Sequence, residues 1–201
     1  WTDGDVVLHA PAELAESRFP ALVGGMLVLR LAGAVFRAGH GSLPAAVLIG
    51  PSTRPSCYLH AGAVQALGLL LRPEALAVLA GPPVARLVDS HVALDGLPGR
   101  AWAGLADTLA GAGDDEARLA LLFGRLRQAV AGPQPARLQA RLQHLAEALH
   151  GPLALACRQL GLSRRQLERV CVAHFGLPPK PFQRIARLQR ALHGAAHAGG
   201  A

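Results

Sequence analysis

The sequence predicts an α+β chain: a small β-rich N-terminal part, a helical bridge and a basic, all-α C-terminal module. Three observations carry that prediction. Up to about residue 72, short apolar runs alternate with turn signals at Gly24–Gly25, Gly39–Pro44 and Gly50–Pro55. From Pro73 onward the apolar residues recur at helical spacing, and the segments open on proline and stop on glycine. Charge divides the chain too: residues 1–117 hold 7 Lys/Arg and 11 Asp/Glu, whereas residues 118–201 hold 13 Lys/Arg and only Glu147 and Glu168. The net +7 therefore combines a balance of −4 with one of +11.

A chain of 201 residues suits one domain or two small ones, and an apolar fraction of 51% is enough to build a core. Cys57, Cys157 and Cys171 are odd in number and widely spaced. Reduced thiols in a cytoplasmic protein are the expectation, not a disulfide framework. No uncharged apolar run reaches the roughly 18 residues a membrane span needs. No basic segment followed by an apolar one opens the chain, which starts at Trp1, so a missing N-terminal piece is expected. The closing HGAAHAGGA is low in complexity and is expected to fray. A strongly basic C-terminal half draws polyanions, nucleic acid first and an anionic membrane second.

In chain order, MLVLRLAGAVFR (26–37) reads as a strand broken by Gly33, and AAVLIG (45–50) as a short strand closed by Gly-Pro. SCYLHAGAVQALGLLLRP (56–73) reads as two short strands around His60–Gly62. PEALAVLAG (73–81) opens on proline at a first helical position and stops at glycine, so it is a short helix. DSHVALDGLPG (89–99) reads as a loop, and residues 100–110 and 114–130 as helices, the second with acids in its first turn. AGPQP (131–135) is the linker expected before the basic module.

Four helices are predicted in that module. ARLQARLQHLAEALH (136–150) aligns Leu138, Leu142, Leu145 and Leu149 on one face. PLALACRQL (152–160) begins with Pro152 at the first helical position and stops at Gly161. In SRRQLERVCVAHF (163–175), Ser163 and Gln166 have the spacing of a capping box. The last helix, 179–193, has Phe182, Ile185, Leu188 and Leu192 on its apolar face.

The stretch GLSRRQLERV (161–170) carries the functional argument. Two short helices joined at Gly161–Leu162 make a helix-turn-helix. Leu167, Val170 and Cys171 turn inward, leaving Arg164, Arg165, Glu168 and Arg169 outward near the helix start. A recognition helix reads the major groove from that end. Arginine suits guanine O6/N7 by its fork, and glutamate accepts from cytosine N4. The plainer alternative is a solvated amphipathic helix; the capping box, the partner helix and the +11 half weigh against it.

CRQLGLSRRQLERVCVAHFGLPPKPFQRIARLQRAL (157–192) resembles the first helix-turn-helix of the AraC/XylS transcription regulators. The Ser cap, the spaced Arg and Leu, the FGLPPK turn and RLQRAL fall in the family's order. Val170–Cys171 stand where an aromatic is common, and Pro178 where a Ser cap is usual. The resemblance implies that Arg165, Glu168 and Arg169 face bases, while Ser163, Arg164 and Lys180 lie nearer phosphates. Arg184 and Arg187 continue the basic stripe; with Arg190 their spacing would also suit a helix lying on a membrane surface. Upstream, GPSTRPSCYLHAG and RPEALAVLAGPPVARLVDSHVALDGLPG are similar to the cupin-like sensor of one AraC subgroup. The family carries two helix-turn-helix units; here the chain ends just after RLQRAL and the second is missing from it, as expected of either a fragment or a truncated protein with weakened binding. A single unit makes few phosphate contacts and would need a partner or a dimer to bind tightly.

Other chemistry finds weaker footing. His40, His60 and His91 form no H-x-H, and no Glu occurs between Glu16 and Glu74, which argues against a cupin metal site. Cys57 and His60, three apart on a strand, point to opposite faces. No phosphate-loop or nucleophile-elbow motif is present. Cys157 and Cys171 suit small buried hydrophobes better than a redox switch. The reading is a β-rich, cupin-like sensor over about 1–80, a bridge over 81–131 and a helix-turn-helix module over 136–193. Its expected partners are promoter DNA, a small-molecule effector or a second subunit, with no membrane, metal or cofactor and no enzymatic activity. The alternatives are a cupin-like binding module or enzyme with a basic tail, and a protein-interaction adaptor.

Overall fold

Two long strands frame the β half of the computed structural model, which describes residues 2–12, 15–97, 102 and 104–198. Strand β1 spans Thr2–Ala10, β2 Glu16–Phe19, β3 Gly25–Arg37, β4 Gly41–Ser42, β5 Ala46–Ile49, β6 Ser56–Leu71 and β7 His91–Ala93. All the pairings are antiparallel, in the order β1-β6-β3-β5-β7, with β2 on β6 and β4 on β3. Among the described residues, seven helices follow the main strands: α1 Pro73–Ala80, α2 Leu105–Ala110, α3 Asp115–Ala129, α4 Pro133–Ala148, α5 Leu153–Leu160, α6 Arg164–Phe175 and α7 Pro179–Ala198.

The sheet bends sharply. The β3–β6 register shifts between Arg30 and Ala32 and again between Ala32 and Ala34, so the ribbon curls instead of running flat. Strand alternation then gives the sheet two faces. Leu27, Leu29, Leu48, Leu69 and Leu71 point to the helices and join one apolar cluster. Met26, Val47, Ile49 and Tyr58 point into the curl.

The helical half is built onto the first of these faces. The same cluster runs from Leu27 and Leu76 through Trp102, Leu122 and Leu145 to Phe175 and Phe182. Helix α1 packs on both α4 and α6, and the 3-10 turn Val84–Leu87 packs on α6. The α2–α3 corner is held by Arg118, which donates to the carbonyls of Leu109 and Ala112 at 3.2 and 3.1 Å and pairs with Asp115 at 2.8 Å.

Several local expectations need correction. Residues 56–71 are one continuous strand, not two around His60–Gly62, because β3 pairs alongside nearly the whole length. Gly33 likewise bends β3 without ending it. The segment 89–99 is not all loop: His91–Ala93 adds to β5, and Leu94–Gly96 makes a 3-10 turn. AGPQP is not a free linker, since Pro133 and Pro135 lie in the first turn of α4, where a missing N–H is tolerated. Pro152 is the N-cap of α5 instead of its first residue. Of the helix read over 100–110, only Leu105–Ala110 is helical among the described residues, and 98–101 and 103 lie outside them. Helix α7 runs to Ala198, past the expected end at 193, so HGAAHA is helical; residues 199–201 lie outside the described residues. Leu188 and Leu192 are 45% and 46% exposed, so only Phe182 and Ile185 of the α7 apolar face are buried.

Among the described residues, no helix is long and apolar enough to cross a membrane.

Candidate nucleic-acid interface

The turn between α5 and α6 is fixed by backbone chemistry. Gly161 takes the left-handed conformation, φ 62° and ψ 29°, that ends α5. The Leu162 N–H returns to the Cys157 carbonyl at 3.0 Å. Ser163 then caps α6: its Oγ accepts from the Gln166 N–H at 3.3 Å, and Gln166 Oε1 accepts from the Ser163 N–H at 2.9 Å. The capping box read from the sequence is present in full, and it holds both residues at the exposed helix start.

Helix α6 is divided along its length. Leu167, Cys171 and Phe175 are fully buried, and Phe175 stacks on Phe182 of α7 with ring centroids 5.1 Å apart. Cys171 fits the core despite its small size; burial pushes its thiol pKa up to about 12. Arg164, Arg165, Glu168 and Arg169 are all exposed on the opposite side.

The C-terminal end of α6 is seated on the β half. Gly176, left-handed at φ 74°, closes the helix against the 3-10 turn. A Cβ there would fall 2.7 Å from Val88 Cγ2 and 3.2 Å from the Val84 carbonyl oxygen. His174 is half-buried beside this contact; burial lowers its pKa, and the Arg141 charge adds to the effect.

Helix α7 starts under α6. Pro178 stands at its entry, and the Phe182 N–H reaches the Pro178 carbonyl at 3.1 Å. Gln183 Nε2 donates to the carbonyls of Leu149 and Gly151 at 2.9 and 2.6 Å, which ties α7 to the α4–α5 corner. Gln189 Oε1 accepts from the Val23 N–H at 3.1 Å, which ties it to the sheet domain. Neither glutamine carried a signal in the sequence, because each bonds to backbone distant along the chain.

The structure brings the sequence-predicted residues together on one side. Arg164, Glu168 and Lys180 line a common groove with Pro178 and Pro179. Lys180, Arg184 and Arg187 line the next groove along α7. Ser163, Arg165 and Arg169 lie exposed beside them on α6. Among the described residues, no carboxylate forms an ion pair with Arg165, Arg169, Arg184 or Arg187. The result is a surface of six basic side chains with one acid, Glu168, among them. Such a surface attracts phosphate, and each guanidinium offers its donors in a planar fork. No family model, curated protein or solved structure matches the chain.

Proposed function

We propose that the chain is a sequence-specific DNA-binding transcription regulator of the AraC/XylS kind. In this reading α5 and α6 are a helix-turn-helix, the bent sheet is a cupin-like sensor, and the protein works in the cytoplasm without catalysing a reaction. The observation that carries the reading is the exposed, unneutralised N-terminal half of α6, continuous with the basic side of α7.

Helix α6 enters the major groove with Arg165 and Arg169 as guanine readers and Glu168 as an acceptor for cytosine N4. Ser163 and Arg164 at the helix start, with Lys180, Arg184 and Arg187, hold flanking phosphates and set the register. The sensor acts through the seat of α6: a ligand or second subunit that moves the 3-10 turn moves the helix that Gly176 fixes to it.

The test is a salt titration of binding to duplex DNA. Each neutralised phosphate contributes about −0.9 to the slope of log K against log salt. Replacing Lys180, Arg184 and Arg187 together by alanine is expected to make that slope shallower by about 2.7. An unchanged slope, or a partner held equally well at low and high salt, would mean that the helix pair contacts protein.

A further inference from the structure

Among the described residues, four buried side-chain nitrogens have no hydrogen-bond partner: Arg30 Nε, Arg37 Nη1, His91 Nδ1 and His174 Nδ1. Three of them belong to the concave face of the sheet. Arg37 is the cross-strand partner of Tyr58, and His91 of Ile49, so both share the face that Tyr58 and Ile49 present to the curl. Arg30 lines the cavity inside that curl.

The Arg37–His91 end is the more telling. Arg37 is only 6% exposed, yet its described bonding is one contact, from Nη2 to Ser56 Oγ at 3.3 Å. A guanidinium is always charged, and burying it without a counter-charge is costly. His40 and His91 stand beside it, ring centroids 5.9 Å apart. Burial lowers the His91 pKa, followed by the charges of Arg37 and His40, so these three groups crowd together with no neutralising acid among the described residues. Asp89, the acid nearest to His91 in the chain, has both oxygens on Thr53, at 2.8 and 2.6 Å. Arg30 differs: it donates to the Gly33 carbonyl and, at 3.0 Å, to that of Leu43, which ties it to the bend.

On the same face lies a cavity of about 70 Å³ lined by Met26, Val28, Val47, Ile49, Tyr58 and Val64; Tyr58 and Ile49, the cross-strand neighbours of Arg37 and His91, put it beside this cluster. An apolar cavity of about 150 Å³ holds benzene, so this one suits about three or four carbon atoms. We propose that the concave face binds a small aliphatic carboxylic acid, its carboxylate between Arg37 and His91 and its short branched body in the cavity. The inference rests on the reading of the β half as the effector-binding part of a regulator.

Isothermal titration calorimetry on the whole chain, without DNA, tests it. The probe is isovalerate, with isovaleramide, acetate and inorganic phosphate as comparators. Isovalerate is expected to bind saturably, and each comparator at least tenfold more weakly, since each lacks the charge or the body. Arg37→Gln is expected to weaken isovalerate at least tenfold with an unchanged circular dichroism spectrum. Should Arg37→Gln fail to fold, His91→Phe and the cavity-filling Val47→Phe serve in its place, with the same tenfold loss expected. No saturable isovalerate binding, equal binding of the amide, tighter binding of phosphate, or wild-type affinity in the folded variants each overturns the proposal. Because DNA is absent from the assay, failure here leaves the salt-titration result standing, and the reverse holds as well.

Discussion

Gly161 and Gly176 close successive helices in the same left-handed conformation, at φ 62° and φ 74°, yet their surroundings differ. Around Gly161 a new Cβ meets nothing within 4 Å, whereas at Gly176 it meets Val88 Cγ2 at 2.7 Å and the Val84 oxygen at 3.2 Å. Alanine at either position bears a left-handed strain of about 1–2 kcal/mol. At Gly176 an overpacking term of about 1–3 kcal/mol is added, because the Val84 backbone cannot swing aside as a long side chain could. Gly161→Ala should therefore lose about 1–2 kcal/mol and Gly176→Ala about 2–5 kcal/mol. For a chain of this length each kcal/mol moves the melting temperature by about 2–4 °C. Thermal melts of the two variants read the difference directly. Val88→Ala in the Gly176→Ala background removes the nearer clash and should restore about 1 kcal/mol in a double-mutant cycle. Equal losses at the two glycines, or no relief from Val88→Ala, would refute the seating of α6 on the 3-10 turn. The proposed route from sensor to DNA would go with it.

Three other outcomes follow from the same geometry. Ser163→Ala removes the acceptor for the Gln166 N–H and should cost about 1 kcal/mol, read as a melting shift of about 2–4 °C; an unchanged melt would mean that the capping box contributes nothing. Cys171, with a pKa pushed up to about 12 by burial, should resist iodoacetamide in the native chain at pH 8. The unfolded thiol ionises near 9 while the folded one keeps its proton, so stability should fall as pH rises from 9 towards 12. Urea midpoints of wild type and Cys171→Ala should diverge in that range; parallel curves would contradict the burial. His91, His150 and His174 all have lowered pKa values, burial being the first cause of each. Their contribution is present above the unfolded value of 6.5 and is lost as pH falls through the folded values, so urea midpoints should drop between pH 7.5 and 5.5. A His174→Gln variant should flatten that drop, and one as steep as wild type would count against His174.

How much could be read in advance depended on the range of the interactions. The start of α6 was legible because Ser163 and Gln166 are three residues apart and bond to each other. The outward arginines were legible because helical spacing alone separates them from Leu167 and Cys171. The long strand β6 was not, since His60 and Ala61 of the turn-like segment are held in the strand by pairing with Val35 and Ala34, some 25 residues away. The strand at His91–Ala93 was hidden for the same reason, its partner being Val47–Ile49. Pro133 and Pro135 looked like a linker because proline at a helix start and proline in a loop share a composition. On the concave face, Arg37 and His91 lie more than fifty residues apart, and only the sheet register puts them on one side. The seat of Gly176 on Val84 and Val88 is likewise a tertiary contact with no local trace.

In the proposed function α6 reads bases and does more than attract phosphate. The most direct measurement compares, at fixed salt, binding to DNA from immediately upstream of the gene and to a scrambled duplex of equal length, for wild type and Arg165→Ala/Arg169→Ala. Each lost bidentate base contact is worth about 1–3 kcal/mol of discrimination. Wild type is expected to prefer the upstream DNA, and the double variant to lose at least tenfold of that preference while still holding scrambled DNA. Equal preference in the two proteins would contradict it.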